Sequence, residues 1–208
     1  MKLACAPVDY DYIDYEGRNY IRMIGRSGEG KRVCVLDSYE PNFYVILKKE
    51  AKKKDIDSLI ADITKITVEK DSRTTTVEKV ERVEKNFLSE KVSALQVYVT
   101  NHKDMHAVAS EIGDSPIVLY RRGYDINIIT KYIMQGGLEP LQYYEIEGSV
   151  LAEDDFGGIV KGLDVDICVK LDKAQKQENA KKFEPKVLSF DIESEIGDVG
   201  SGEVYMIG

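Results

Sequence analysis

Tryptophan is absent from the 208 residues, and histidine and cysteine are scarce at two and three copies. Cys5, Cys34 and Cys168 are far apart and odd in number, with no CxxC pair or Cys/His cluster. That argues against a disulfide scaffold or a structural zinc site and fits a reducing compartment. No apolar run approaches the roughly 18 residues of a membrane span. The opening "MKLACAPVDYDYIDYEG" turns acidic and aromatic too early for a secretory leader. A basic excess is missing too: 29 Lys and Arg face 37 Asp and Glu, a net charge of −8. This counts against a free-standing nonspecific nucleic-acid binder, yet leaves room for one local basic groove.

What is present is a β-rich pattern. "YIRMIG" and "KRVCVLD" read as strands joined by the hairpin loop "RSGEG", and "NFYVIL" behind Pro41 reads as another. The stretch "GRSGEGK" lacks P-loop spacing and a following helix, so it is a hairpin and not a phosphate cradle. The basic run "KKEAKKK" reads as a solvated face. Ile56, Leu59, Ile60 and Ile63 then recur at helical spacing, with Asp55 as the expected N-cap. Strands follow around "TTTVEKVERVE" and "VSALQVYVT", then a helix from Lys103 to Ile112 ending at Gly113, then the strand "PIVLY". His102 and His106 sit four apart near that helix without an acidic partner, and exposed side chains are expected rather than a metal pair. Together residues 43–120 spell β-α-β-β-α-β, a ferredoxin-like order. A third helix is expected from Asp125 to just before Gly136, and "PLQYYEIEGSV" reads as a strand leading into a connector. Residues 172–184 are polar and poor in large apolar groups, which predicts a linker or an exposed helix with the domain boundary there.

Beyond that boundary stands "KVLSFDIES". On a strand, Asp191 and Glu193 project from one side with Cα atoms about 6.5–7 Å apart. Two hard oxygen ligands so placed can share Mg²⁺ or Mn²⁺ ions in a two-metal phosphodiester-cleaving site. The spacing alone does not decide, because "EIE" at Glu145–Glu147 and "DVD" at Asp164–Asp166 repeat it. At least two of the three pairs are expected to be surface acids.

"KVLSFDIES" resembles the first exonuclease motif of the family B DNA polymerases, a Phe-Asp-Ile-Glu core followed by Thr or Cys. Phe190, Asp191, Ile192 and Glu193 match it, and Ser194 departs from it. "DYDYIDYEGRNYIRMIG", "EPNFYVIL", "VEKVERVEKNFLSEKVSALQVYV", "YRRGYDINIITKYIMQGGLEP" and "YYEIEG" are similar, in the same order, to segments of the archaeal members. The resemblance runs through nearly the whole chain.

It implies an α+β chain. Residues 1–184 would be the β-rich N-terminal domain, containing the ferredoxin-like module (about 43–120) and a connector (about 148–184). Residues 185–208 would begin a ribonuclease H-like 3′–5′ exonuclease domain. Asp191 and Glu193 would then bind the catalytic Mg²⁺ or Mn²⁺ ions. The remaining ligands and the whole polymerase centre would lie beyond residue 208. The chain alone is therefore expected to be inactive with its metal positions empty, as a fragment or as part of a split polymerase. Implied partners are template and primer DNA, the remainder of the polymerase and, through that remainder, a sliding clamp. No membrane is involved, and a cytoplasmic, nucleoid-associated location follows. The archaeal members also trap template uracil in a pocket that accepts a flipped base. Tyr12 and Pro41 match its positions, whereas Asn42 replaces an aromatic, Ile128 a phenylalanine and Lys131 an arginine. Two other classes stay open: a stand-alone module binding single-stranded nucleic acid through aromatic stacking, and a scaffold that acts only when docked on a second chain.

Overall fold

The computed structural model describes residues 1–113, 115–136, 139–178 and 183–189, together with the backbone of 192–194 and 204–207. Its first elements are β1 (Lys2–Tyr15), β2 (Arg18–Ser27), β3 (Arg32–Tyr39) and β4 (Asn42–Leu47). Then come α1 (Lys53–Ile63), β5 (Thr67–Lys70), β6 (Arg73–Phe87), β7 (Glu90–Val99), α2 (Met105–Glu111) and β8 (Val118–Arg122). The chain continues through α3 (Ile128–Gly136), β9 (Tyr144–Val150) and β10 (Ile167–Lys176) to the short strands β11 (Ile192–Ser194) and β12 (Val204–Ile207).

Five strands close into a barrel in the order β1-β2-β3-β10-β9. The expected meander supplies β1 to β3. Closure comes from β10, which runs parallel to β3 with Cys168 opposite Cys34, and from β9, which pairs with both β10 and β1. Residues 172–176, expected in a linker, thus belong to a barrel strand. Their polar side chains misled because much of this stretch faces solvent, while the burial that fixes the strand lies earlier, at Cys168 and Val169. Strand approach is close at Gly148, where a Cβ would stand 2.1 Å from the Lys170 carbonyl oxygen. The interior is filled by Cys5, Ile21, Met23, Val33, Val35, Tyr144, Ile146 and Val169, and α3 inserts Ile128 and Tyr132 among them.

The other five strands form a sheet in the order β5-β6-β7-β4-β8. The succession β4, α1, β6, β7, α2, β8 follows the alternation read from the sequence, with β5 added at the edge by a hairpin. Phe43, Val45 and Leu47 alternate toward one face and meet Leu95, Val97 and Val99, with Leu59 and Ile63 of α1 and Met105, Val108 and Ala109 of α2 packed over them. Helix α1 begins at Lys53, two residues ahead of the expected cap. Its N-cap Lys52 makes no side-chain capping bond, and Asp55 lies in the first turn, where its charge suits the helix dipole. Strands β6 and β7 run to a two-residue turn at Leu88 and Ser89, both with positive φ (49° and 68°). This suits the twist of a tight hairpin. Strand β11 pairs antiparallel with β12.

Barrel and sheet are joined by polar contacts. The Asn19 side-chain oxygen accepts from the His102 amide at 2.7 Å, and Lys103 forms an ion pair with Asp14. His102 is half-buried, its ring 4.5 Å from that of Tyr12, rather than exposed on a helix as expected; His106 is exposed. Close by, Asp104 is buried and accepts from Arg73 Nε at 2.8 Å, Arg73 Nη2 at 3.0 Å and the Thr75 hydroxyl at 2.6 Å. The Arg73 guanidinium and the Thr75 hydroxyl hold the Asp104 carboxyl below the ordinary carboxylate value of 3.8 against the opposing effect of burial.

A group whose folded-state pKa is depressed stabilises the fold above its unfolded value, and the contribution is lost as pH falls through the folded one. Asp104→Asn therefore costs about 3 kcal/mol at pH 7, the lower end for breaking a buried pair. In urea unfolding the gap between wild type and variant narrows progressively below about pH 4.

Candidate functional site

The largest cleft flanked by sequence-predicted residues lies where the helix-free face of the sheet meets α3. Its volume is about 920 Å³, and Tyr39, Asn42, Tyr44, Lys85, Gln96 and Lys131 are among its lining residues. Alternation places these groups. In "NFYVIL", Phe43 and Val45 point to the helix-covered core, so Asn42 and Tyr44 point the other way. On β7, Gln96 and Tyr98 share that face by the same rule, opposite Tyr44 and Asn42.

Lys131 forms the floor. It is only 4% exposed although it is a lysine, and its ammonium donates to two backbone carbonyls, Asn42 O and Gly123 O, the latter at 2.8 Å. Helix α3 sets its position: Asn127 caps the helix by accepting from the Ile129 amide at 2.9 Å, and Ile128 and Tyr132 anchor it in the barrel. Burial pulls the Lys131 pKa down to about 8, with Lys85 adding to the fall and Asp125 opposing it. Above it, Asn42 and Gln135 form a reciprocal amide pair. Gln135 Nε2 donates to Asn42 Oδ1 at 3.0 Å, and Asn42 Nδ2 lies 3.4 Å from Gln135 Oε1. Gln96 Nε2 donates to the same Asn42 oxygen at 3.0 Å. The cleft therefore holds mutually paired amides, a cation below and tyrosine rings at its sides, a set suited to a flat polar heterocycle that can take the place of one amide partner.

Of the five residues matched to a base pocket, the structure brings Asn42 and Lys131 into this cleft. Pro41 adjoins them, buried, with its carbonyl accepting from the Val99 amide at 2.9 Å. Ile128 is turned into the barrel core, where Tyr12 packs from β1, and neither lines the cleft. Tyr44, Gln96 and Gln135 escaped the sequence reading. Tyr44 carried a signal, since it alternates with two core residues; Gln135, on the last turn of α3, carried none.

Asp191 lies outside the described residues, and Glu193 is described only as a backbone position in β11, paired with Met206. Among the described residues no cluster of three or more His, Cys, Asp or Glu side chains could hold a metal ion. The two rival acid pairs are ion-paired instead: Glu145 and Glu147 meet Lys2, and Asp164 and Asp166 meet Arg32. No helix among the described residues is long and apolar enough to cross a membrane.

No family model matches the chain. It is similar to the DNA polymerase of Thermococcus kodakarensis, with 32% identity over 135 residues, 65% of this chain and 8% of that one. It is also similar to the DNA polymerase of Desulfurococcus sp. (strain Tok), with 33% identity over 135 residues, covering 65% and 17% respectively. DNA polymerase 1 of Pyrococcus abyssi is 29% identical over 147 residues, covering 71% and 18%. The fold is similar to that of the family B DNA polymerase from the archaeon Pyrobaculum calidifontis, with a TM-score of 0.69 over 92% of this chain and 23% of that one, at 22% identity. The chain thus spans less than a fifth of the length of these curated relatives.

Lys131 makes the cleft titratable. Its folded-state pKa lies below the ordinary 10.5, so the charged form is disfavoured by folding and stability rises as pH climbs from about 8 toward 10.5. Lys131→Met removes that rise. The difference in unfolding free energy between wild type and variant, followed by urea titration between pH 7.5 and 9.5, is expected to shift in favour of wild type with increasing pH.

Proposed function

We propose, from the chain's relationship to archaeal family B DNA polymerases, that it forms the DNA-handling N-terminal part of such an enzyme and opens its 3′–5′ exonuclease. The observation that carries this is a fold likeness spanning nearly the whole chain together with relatives that share the polymerase name. In this reading the sheet with α1 and α2 is the ferredoxin-like module, and the barrel frames it. The segment from residue 185 onward opens a ribonuclease H-like domain, of which β11 (Ile192–Ser194) is the first described strand. Asp191 and Glu193 supply hard carboxylate oxygens for Mg²⁺ or Mn²⁺ ions, which activate water and stabilise the leaving oxygen when bound. The pairing of β11 with β12 supports a strand position for Glu193, and a strand end can hold carboxylates rigidly. DNA, and the rest of the polymerase, are the partners.

The amide-lined cleft is the place where a template base would be read. Asn42 and Gln135 occupy each other's hydrogen-bonding edges, so a base must displace that pair to be read on its Watson–Crick edge. The uracil reading predicts tighter binding of a strand carrying one uracil than of its thymine counterpart. Equal dissociation constants by fluorescence anisotropy would end it.

The principal test is proofreading in the full-length protein. Asp191→Ala and Glu193→Ala should each reduce Mg²⁺-dependent digestion of a 3′-labelled single strand by about 100-fold or more while leaving primer extension unchanged. Digestion that survives both substitutions removes the two carboxylates from the mechanism.

A further inference from the structure

The face of the sheet opposite α1 and α2 carries a pattern that starts at Tyr44 and Lys85 in the base cleft and runs on beyond it. Lys85 Nζ stands 4.4 Å from the centre of the Tyr44 ring. The Arg122 guanidinium stands 4.6 Å from the Tyr120 ring and 5.7 Å from that of Phe87, and these two rings lie 5.4 Å apart. Phe87 comes from the end of β6 and Tyr120 from β8, strands at opposite sides of β7 and β4. For their rings to meet, the long β6–β7 hairpin must curl across the face, leaving a shallow channel walled by aromatic groups and cations. Tyr120 is 41% exposed and Arg122 is exposed.

Among the described residues no ion pair joins Lys85 or Arg122 to a carboxylate. Lys79, further along β6 beneath Tyr98, differs: Glu40 at 2.9 Å and Glu81 at 3.7 Å already neutralise it. On this face the two cations without a carboxylate partner, Lys85 and Arg122, therefore lie beside Tyr44, Phe87 and Tyr120, on a chain whose net charge is −8. An apolar protein partner would leave these cations desolvated, and a duplex would present no unstacked bases to the rings. A single strand satisfies both sets of groups, with bases on the rings and phosphates on the cations.

We propose that this face is a sequence-independent track for single-stranded DNA that leads into the amide-lined cleft, with Phe87, Tyr120 and Tyr44 as stacking surfaces and Arg122 and Lys85 as phosphate contacts. The choice of DNA rests on the polymerase reading; the surface itself is argued from the rings and charges. Ring stacking and phosphate contacts do not distinguish the sugar, so the corresponding ribo-oligonucleotide is expected to bind similarly.

Anisotropy of a fluorescein-labelled oligo(dT) titrated with the full chain tests the track. Two free cations predict a slope of log K against log salt of about −1.4, falling to about −0.7 in Arg122→Gln. Phe87→Ala and Tyr120→Ala each weaken binding by about 5-fold or more, whereas Tyr120→Phe, which keeps the ring, does not. Thermal melts matching wild type show that the variants are folded, and oligo(rU) and a duplex of equal length complete the comparison. Absence of binding by wild type, equal affinity for the duplex, or ring variants that bind normally would each overturn the proposal. Normal binding by the ring variants, with proofreading lost in Asp191→Ala, leaves the polymerase reading intact. Weakened binding with proofreading retained in Asp191→Ala does the reverse.

Discussion

The cleft depends on the buried ammonium of Lys131. A lysine out of water is tolerated only where its protons find acceptors, and here two main-chain carbonyls, Asn42 O at the start of β4 and Gly123 O after β8, provide them. Both carbonyls belong to the sheet half, whereas α3, which carries Lys131, is seated in the barrel by Ile128 and Tyr132. This side chain therefore ties α3 and the barrel to the sheet, together with the Asn19–His102 and Asp14–Lys103 contacts. The Asn42–Gln135 amide pair needs that same placement, because its two members come from the sheet and from α3.

From this joint the sheet divides its work by face. One face is apolar and covered by α1 and α2; the other carries polar amides, tyrosines and unpaired cations toward the cleft. Net charge is a poor guide to such a surface. Ion pairs such as Asp104 with Arg73, Asp14 with Lys103, and Asp164 and Asp166 with Arg32 cancel within the sum, so the total does not report the charge of any one patch. The positive charge on this face is local, and the packing of the β6–β7 hairpin toward β8 sets it beside the rings.

The three acid-x-acid pairs illustrate how far spacing carries. All three share the spacing that would set two carboxylates on one side of a strand, yet Glu145–Glu147 and Asp164–Asp166 sit against Lys2 and Arg32 as surface ion pairs. For Asp191 and Glu193 the added information was the apolar segment ahead of them and the resemblance along the preceding chain, not the spacing.

Alternation in "NFYVIL", the helical recurrence of Leu59 and Ile63 and the turn chemistry of "RSGEG" were readable because each is decided within a few residues. Closure of the barrel was not, since it depends on Cys168 meeting Cys34 and on Glu145 meeting Ala4, pairings of residues more than a hundred positions apart. For the same reason the polar end of β10 reads locally as a linker and His102 as an exposed residue, whose burial is created by Tyr12 of a distant strand. Local sequence, then, determined the elements and the residue types available for binding. Only tertiary structure decided that Asn42, Gln135 and Lys131 share a cleft while Ile128 and Tyr12 fill the barrel, because side-chain neighbours across elements are set by packing and not by order along the chain.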